Sequence, residues 1–164
     1  MKLSDDKKVG FIEENHIYTD TETGEQLTSG TTALSQFKQP FEAELIAERK
    51  AKKEGVTPES LLEAWENKKN KACVSGTYYH QALENFFKGE KYDLDVSIHP
   101  KSDVVQDFIN ETKLKPLMVE PILHDLTKGI ASQLDLYAEA EDGSKNIYDY
   151  KTNEKLKFSN YYQK

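Results

Sequence analysis

The chain has 164 residues, a formal net charge of -7 and 37% hydrophobic residues, with a mean hydropathy of -0.77; that length supports one domain with a modest core rather than two independent ones. No run approaches the roughly 18 apolar residues of a membrane span, and the opening Met1-Lys2-Leu3-Ser4-Asp5-Asp6-Lys7-Lys8 lacks the apolar stretch of a secretory signal, so a soluble, intracellular protein with no membrane partner is expected. The single cysteine, Cys73, excludes an internal disulfide and a four-cysteine zinc or iron–sulfur site within the chain.

Residues 9 to 28 read as a short hairpin-like entry with Thr23-Gly24-Glu25 at its turn. Helical stretches are predicted over Thr32 to Phe37, over Phe41 to Glu54 with Gly55 as stop, and from Pro58 to Asn70. In the last of these Thr57 is the cap and Pro58 the first helical residue, and Trp65 is expected to anchor the helix to the core. A further helix spans Lys71 to Lys88 and is closed by Gly89, with Ala82, Leu83, Phe86 and Phe87 as its buried contribution. Cys73 on it is expected to be a small buried hydrophobe. His80 and Glu84, four apart, share a face; a histidine there can be a satisfied core residue, and Glu84 makes a polar, inward-facing pair the sharper alternative. Pro100 opens another helix, whose Val104, Val105, Phe108 and Ile109 form an apolar stripe read as core packing.

From Pro116 the texture becomes β. Leu117-Met118-Val119-Glu120-Pro121-Ile122-Leu123 is predicted as a strand that Pro121 makes an edge or bulged one. Residues Ile130 to Glu139 alternate, with Ile130, Leu134, Leu136 and Ala138 on the apolar face and Gln133, Asp135, Tyr137 and Glu139 opposite. The turn Glu141-Asp142-Gly143-Ser144 then joins it antiparallel to a strand through Asn146-Ile147-Tyr148-Asp149-Tyr150-Lys151-Thr152. Alternation puts Asp149 and Lys151 on one face, and the hairpin can bring Asp135 to Asp149. Mg²⁺ takes hard oxygen ligands, one or two of them carboxylates, with phosphate and waters completing the shell. Asp135 and Asp149 supply that number, and Lys151 beside them can stabilise charge on a phosphate or help deprotonate an attacking water. A surface hairpin of an acidic domain can also read Asp-x-Lys by chance. His16, His99 and His124 lack paired spacing with other ligands and are given structural or surface roles.

Taken together, Gly76-x-x-x-His80-x-x-x-Glu84, Glu120, Ala131-Ser132-Gln133-Leu134-Asp135-Leu136 and Ile147-Tyr148-Asp149-Tyr150-Lys151-Thr152 resemble the ordered motif set of the PD-(D/E)XK nuclease superfamily, closest to its RecB-like and phage exonuclease branch. The stretch from Val9-Gly10-Phe11-Ile12 through His16-Ile17-Tyr18, Gly30-Thr31-Thr32 and Pro40-Phe41 is similar to the entry segment of phage-encoded members. The resemblance implies an α/β (α+β, mixed-sheet) fold with a restriction-endonuclease-like core. Residues 1–164 then form a single nuclease-like domain, with an N-terminal hairpin and helices over 1–71 and the core over 72–164.

It implies a metal-dependent DNA nuclease, an exonuclease by family branch, acting in phage-type DNA recombination, replication or repair in the cytoplasm of a bacterium or phage-infected host. Asp135, Asp149 and Glu120 match the acids that hold Mg²⁺ or Mn²⁺, Lys151 the catalytic lysine, and His80 with Glu84 the helix pair bordering the site, where the histidine binds or orients the metal. DNA is the implied partner, with a recombination or single-strand annealing protein as a second; ring-shaped oligomers are known among such relatives. The family places a glycine shortly before the second-strand acid, where this chain has Ser132, with Gly129 three residues earlier. The family core also continues with a helix carrying a Gln-x-x-x-Tyr pair and a further strand, whereas this chain stops at Tyr161-Tyr162-Gln163-Lys164, so a truncated chain is expected.

The charge of -7 runs against a nucleic-acid partner, because backbone affinity comes from Lys and Arg. Positive charge is concentrated, however, in Arg49-Lys50-Ala51-Lys52-Lys53, in Lys68-Lys69-Asn70-Lys71 and in Lys151, Lys155 and Lys157. These segments form either a DNA-facing rim or solvated helix faces balanced by neighbouring glutamates. The runner-up reading is a catalytically silent DNA-binding or protein-binding module on a nuclease-like scaffold, and a third is an acidic interaction domain with chance motif matches.

Overall fold

Short runs of β-branched and aromatic residues, punctuated by turn formers, alternate with longer stretches of good helix formers, and the elements follow that texture. The computed structural model describes residues 2–4, as backbone alone, and residues 8–152. Its strands are β1 (Lys2–Ser4), β2 (Val9–Ile12), β3 (Ile17–Asp20), β4 (Gln26–Ser29), β5 (Lys115–Val119), β6 (Ile122–Asp125), β7 (Ile130–Gln133), β8 (Leu136–Glu139) and β9 (Lys145–Tyr148). Its α-helices are α1 (Gly30–Ser35), α2 (Ala43–Glu54), α3 (Pro58–Lys88) and α4 (Ser102–Glu111). The fold is therefore mixed α/β. The chain divides into two compact units, one of Met1–Tyr78 with Pro121–Gln133 and one of Tyr79–Glu120 with Leu134–Lys164. Among the described residues no helix is long and apolar enough to cross a membrane.

The first unit is built on a six-stranded sheet of order β1-β6-β7-β4-β3-β2, in which β4 and β7 are parallel and the other pairs antiparallel. The entry is thus a three-stranded meander rather than a single hairpin. Asp20 shapes its second turn, its Oδ1 accepting from the backbone N–H of Glu22 at 2.8 Å and of Thr23 at 3.2 Å, while Gly24 takes a left-handed φ of 76°. Tyr18, Leu27 and Ala131 form the core, with Val9, Phe11, Ile122 and Leu126 packed against it. The buried Tyr18 hydroxyl is satisfied by the N–H of Gln133 at 3.0 Å. Ser29 caps α1 by accepting from the N–H of Thr32. At Gly30 a Cβ would stand 3.1 Å from Ser132 Oγ, so the first turn of α1 packs tightly on β7 and a side chain there would need Ser132 to give by a few tenths of an ångström.

Gly55, at φ 70°, ends α2 as predicted, its N–H bonding to the carbonyl of Ala51. The two helices predicted over 58–70 and 71–88 are one helix, α3, because Asn70-Lys71 contains no breaker. Thr57 caps it, Oγ1 accepting from the N–H of Ser60 at 3.2 Å. At the other end Gly89 N–H bonds to Phe86 O at 3.0 Å and Glu90 N–H to Asn85 O at 2.8 Å, a Schellman closure. Cys73 is exposed, not buried: every residue from Glu66 to Val74 is exposed, so this turn of α3 has no core to pack into.

The second unit holds the antiparallel sheet β5-β8-β9. Phe87 at the end of α3 packs with the fully buried Leu136 and Ala138, and Phe86, Leu114, Val119, Tyr148 and Tyr150 surround them. In α4 Ile109 is buried, but Val104, expected in the same stripe, is 63% exposed. Three predicted strands are shorter than their patterns. The run 117–123 divides at Glu120-Pro121 into β5 and β6, and the run 130–139 divides at Leu134-Asp135 into β7 and β8, each pair contributing to different sheets. The last strand ends at Tyr148, so Asp149, Tyr150 and Lys151 follow it as irregular chain. The proposed Lys155 and Lys157 lie outside the described residues.

Candidate active site

The β8–β9 hairpin forms where Asp142-Gly143 predicted it. Ala140 N–H bonds to Ser144 O at 2.8 Å, Gly143 N–H to Ala140 O at 2.9 Å, and Gly143 supplies the left-handed φ of 81°. Its last paired residues are Leu136 and Tyr148, and Asp135 and Asp149 are the residues next beyond that pair. There the ladder stops and side chains take over. Tyr150 N–H donates to Asp135 Oδ2 at 2.5 Å. Asp135 also continues the β5 side of the sheet, its carbonyl accepting from Glu120 N–H at 3.0 Å. Glu120 reaches that position only with φ 50°, a left-handed conformation unusual for a residue with a Cβ.

His80 comes to the same carboxylate from α3. Its Nδ1 lies 3.3 Å from Asp135 Oδ1 and its Nε2 3.1 Å from Tyr150 O. Both ring nitrogens thus face acceptors, and only the imidazolium can donate to both at once. The hydrogen bond to Asp135 accordingly raises the His80 pKa, outweighing burial, and Tyr150 O and Asp149 act in the same direction. Burial pushes the Asp135 carboxyl up, but the bonds from His80 and from Tyr150 N–H prevail and hold it below its ordinary value. His80 is therefore arranged here to orient and charge-balance Asp135, with neither nitrogen turned to an open position. The imidazole edge also meets the Tyr150 ring, with centroids 5.5 Å apart.

Asp149 and Lys151 do meet, Oδ2 to Nζ at 2.5 Å, and both are more than half exposed. The expected pairing of His80 with Glu84 does not form. Glu84, although on the same helix face, accepts from Gln81 at 2.9 Å and from Lys88, and its hydrogen bond raises the Lys88 pKa, with Glu120 adding to the effect. The six predicted site residues thus fall in one unit as two neighbouring groups. Asp135, His80, Asp149 and Lys151 make one group, and Glu84 and Glu120 join Lys88 in the other.

Two contributors were not read from the sequence. Lys88 follows Glu84 at ion-pair spacing and was legible in principle. Tyr150 acts through its backbone, at a point where the strand was expected to continue, so no residue-type signal marked it. Its phenol is buried without a hydrogen-bond partner among the described residues, and burial, with the nearby charges of Asp135 and Glu120, raises its pKa. Among the described residues no three His, Cys, Asp or Glu side chains already stand in a metal-holding group. No family model matches the sequence, and no curated protein and no solved structure matches it either.

Proposed function

We propose that the chain is a metal-dependent DNA nuclease of the PD-(D/E)XK type, hydrolysing phosphodiester bonds at the open end of the β8–β9 hairpin. The observation that carries the reading is that Asp135, held by His80 and the Tyr150 N–H, lies at that end near the charge of the Asp149–Lys151 pair, with the Glu120 backbone N–H on the Asp135 carbonyl. The donors suit a hard cation in type: three carboxylates, one of them half-buried and kept ionised by its neighbours. Asp135, Asp149 and Glu120 would hold Mg²⁺ or Mn²⁺, which when bound supplies Lewis acidity toward the phosphate and a more acidic water. His80 and the Tyr150 N–H fix the orientation of the Asp135 carboxylate, as outer-shell groups do for ligating acids. Lys151 stands beside Asp149 and provides the positive charge that the developing phosphorane needs. Glu84 steers Lys88 rather than a metal. Exonuclease action rests on the resemblance of the motif order alone.

The test is release of labelled nucleotides from linear and closed-circular DNA with Mg²⁺ or Mn²⁺. Metal-dependent loss of linear DNA only, reduced about a hundredfold or more by Lys151→Ala or Asp149→Asn, is the expected result. Cutting of circles would make the enzyme an endonuclease, and equal activity in the variants would remove the chemistry from this site.

A second reading, a silent scaffold that binds DNA or protein, is favoured by one feature: both Asp135 oxygens and both His80 nitrogens already have protein partners. It predicts no cleavage, and DNA retention indifferent to metal and to Asp135→Asn.

A further inference from the structure

The helical part of the first unit carries a surface that the hairpin site does not use. Phe37 and Phe41, in the connection from α1 to α2, are 71% and 70% exposed. The Phe41 ring lies 6.1 Å from that of Trp65 on α3, tilted by 57°, and Lys50 Nζ stands 5.8 Å over the Trp65 ring. Trp65 thus has an aromatic ring and a cation as neighbours. From Phe41 the four-residue spacing continues through Leu45, Arg49 and Lys53, all exposed.

The charges on this surface are distinctive. Among the described residues Lys50 pairs with Glu54 and Lys69 with Glu66, whereas Lys38, Arg49, Lys52, Lys53, Lys68 and Lys71 form no ion pair. Of the acids of α2 Glu54 pairs with Lys50, whereas Glu44 and Glu48 lie on the opposite flank of the helix from Arg49 and Lys53. In a chain of net charge -7 this is a local concentration of free positive charge next to bare aromatic rings.

We infer that this face binds single-stranded DNA, with Phe37 and Phe41 stacking on bases and Arg49 and Lys53 neutralising phosphates. An apolar protein partner would leave the cations unmatched. A duplex would satisfy them but hides the faces of its bases. An unpaired strand offers both a polyanionic backbone and open π-faces, which is the combination that aromatic platforms in basic surroundings take up. The choice of DNA over RNA rests on the nuclease reading above; the surface itself does not.

Trp65 is the only tryptophan, so its fluorescence reports on the face directly. The full chain is titrated with oligothymidylate of about 20 nucleotides in EDTA, following Trp65 emission and the anisotropy of a labelled oligonucleotide. Saturable quenching, an affinity that falls steeply with salt, and about tenfold or greater weakening in Phe41→Ala and in the Phe37→Ala, Phe41→Ala pair are expected. Both rings are largely exposed, so these variants keep the fold, and Lys53→Glu tests the charge independently.

Unchanged affinity in the double variant, tighter binding of blunt duplex, or no quenching would overturn the inference. Equal affinity for oligouridylate would overturn the assignment to DNA, and a dimer dissolved by Phe41→Ala would give the face to a second copy of the chain. Because no hydrolysis is read, binding without cleavage counts against the hairpin site alone, and cleavage without binding here counts against this face alone.

Discussion

A single carboxylate, Asp135, is bonded to three parts of the second unit at once, through its side chain to His80 and Tyr150 and through its carbonyl to Glu120. The His80–Asp135 pair makes stability depend on pH in a definite direction. His80 has its pKa raised in the fold above the ordinary 6.5, so its contribution is complete below 6.5 and is lost as pH rises through the raised value. Asp135 has its pKa lowered below the ordinary 3.8, so its contribution is present above 3.8 and is lost as pH falls through the lowered value. The pair therefore stabilises most between those ordinary values and fades on the alkaline side. In metal-free urea titrations His80→Gln should fall further below the parent at about pH 5.5 than at about pH 9; an equal deficit at both would show that the imidazolium contributes nothing. Residue type and spacing singled out His80, Asp135, Asp149 and Lys151, because acids and a lysine at hairpin ends are local features. The engagement of Glu84 with Lys88 was missed because a helix face tells which residues can meet, not which partner wins.

At the scale of elements, the short sheet β5-β8-β9 positions the site, and Leu136 is its innermost side chain, fully buried against Phe87 and Ala138. Leu136→Ala removes that filling one residue from Asp135 and should cost about 2–5 kcal/mol, read as a lower urea midpoint; a loss well under 1 kcal/mol would mean the cluster collapses to fill the gap. Element ends were legible wherever a residue forces a stop. Gly55 and Gly89 closed their helices, Thr57-Pro58 opened one, and Asp142-Gly143 turned the hairpin. Breaks without a stop signal were not legible. Alternation runs unbroken through Leu134-Asp135, yet the chain leaves one sheet and enters another there, and only the strands each half pairs with, β4 and β6 for β7 and β5 and β9 for β8, decide it. Glu120-Pro121 was closer to readable, since Pro121 already marked an interruption.

For the molecule as a whole, the negative charge of -7 and a pI near 5.2 set a conflict with the pH range in which the His80–Asp135 pair is strongest. Near its pI a protein loses the repulsion that keeps copies apart, so light scattering of a concentrated solution should rise as pH approaches 5.2 and clear again with distance from it. No such rise would mean that segregated local charge, not the sum, governs association. The basic runs were legible in the sequence despite the acidic total, but their place beside Phe41 and Trp65 was not, because which side chains gather around a helix is visible only once the helix and its neighbours are placed. The dependence of Asp135 on three separate segments bears on portability. A peptide comprising the β8–β9 hairpin would carry Asp135, Asp149 and Lys151, yet it would leave behind the Glu120 N–H and the His80 ring. Grafted onto another scaffold, the hairpin would bring the ligands without their alignment, so transplanting this site means transplanting the end of α3 and the turn after β5 with it.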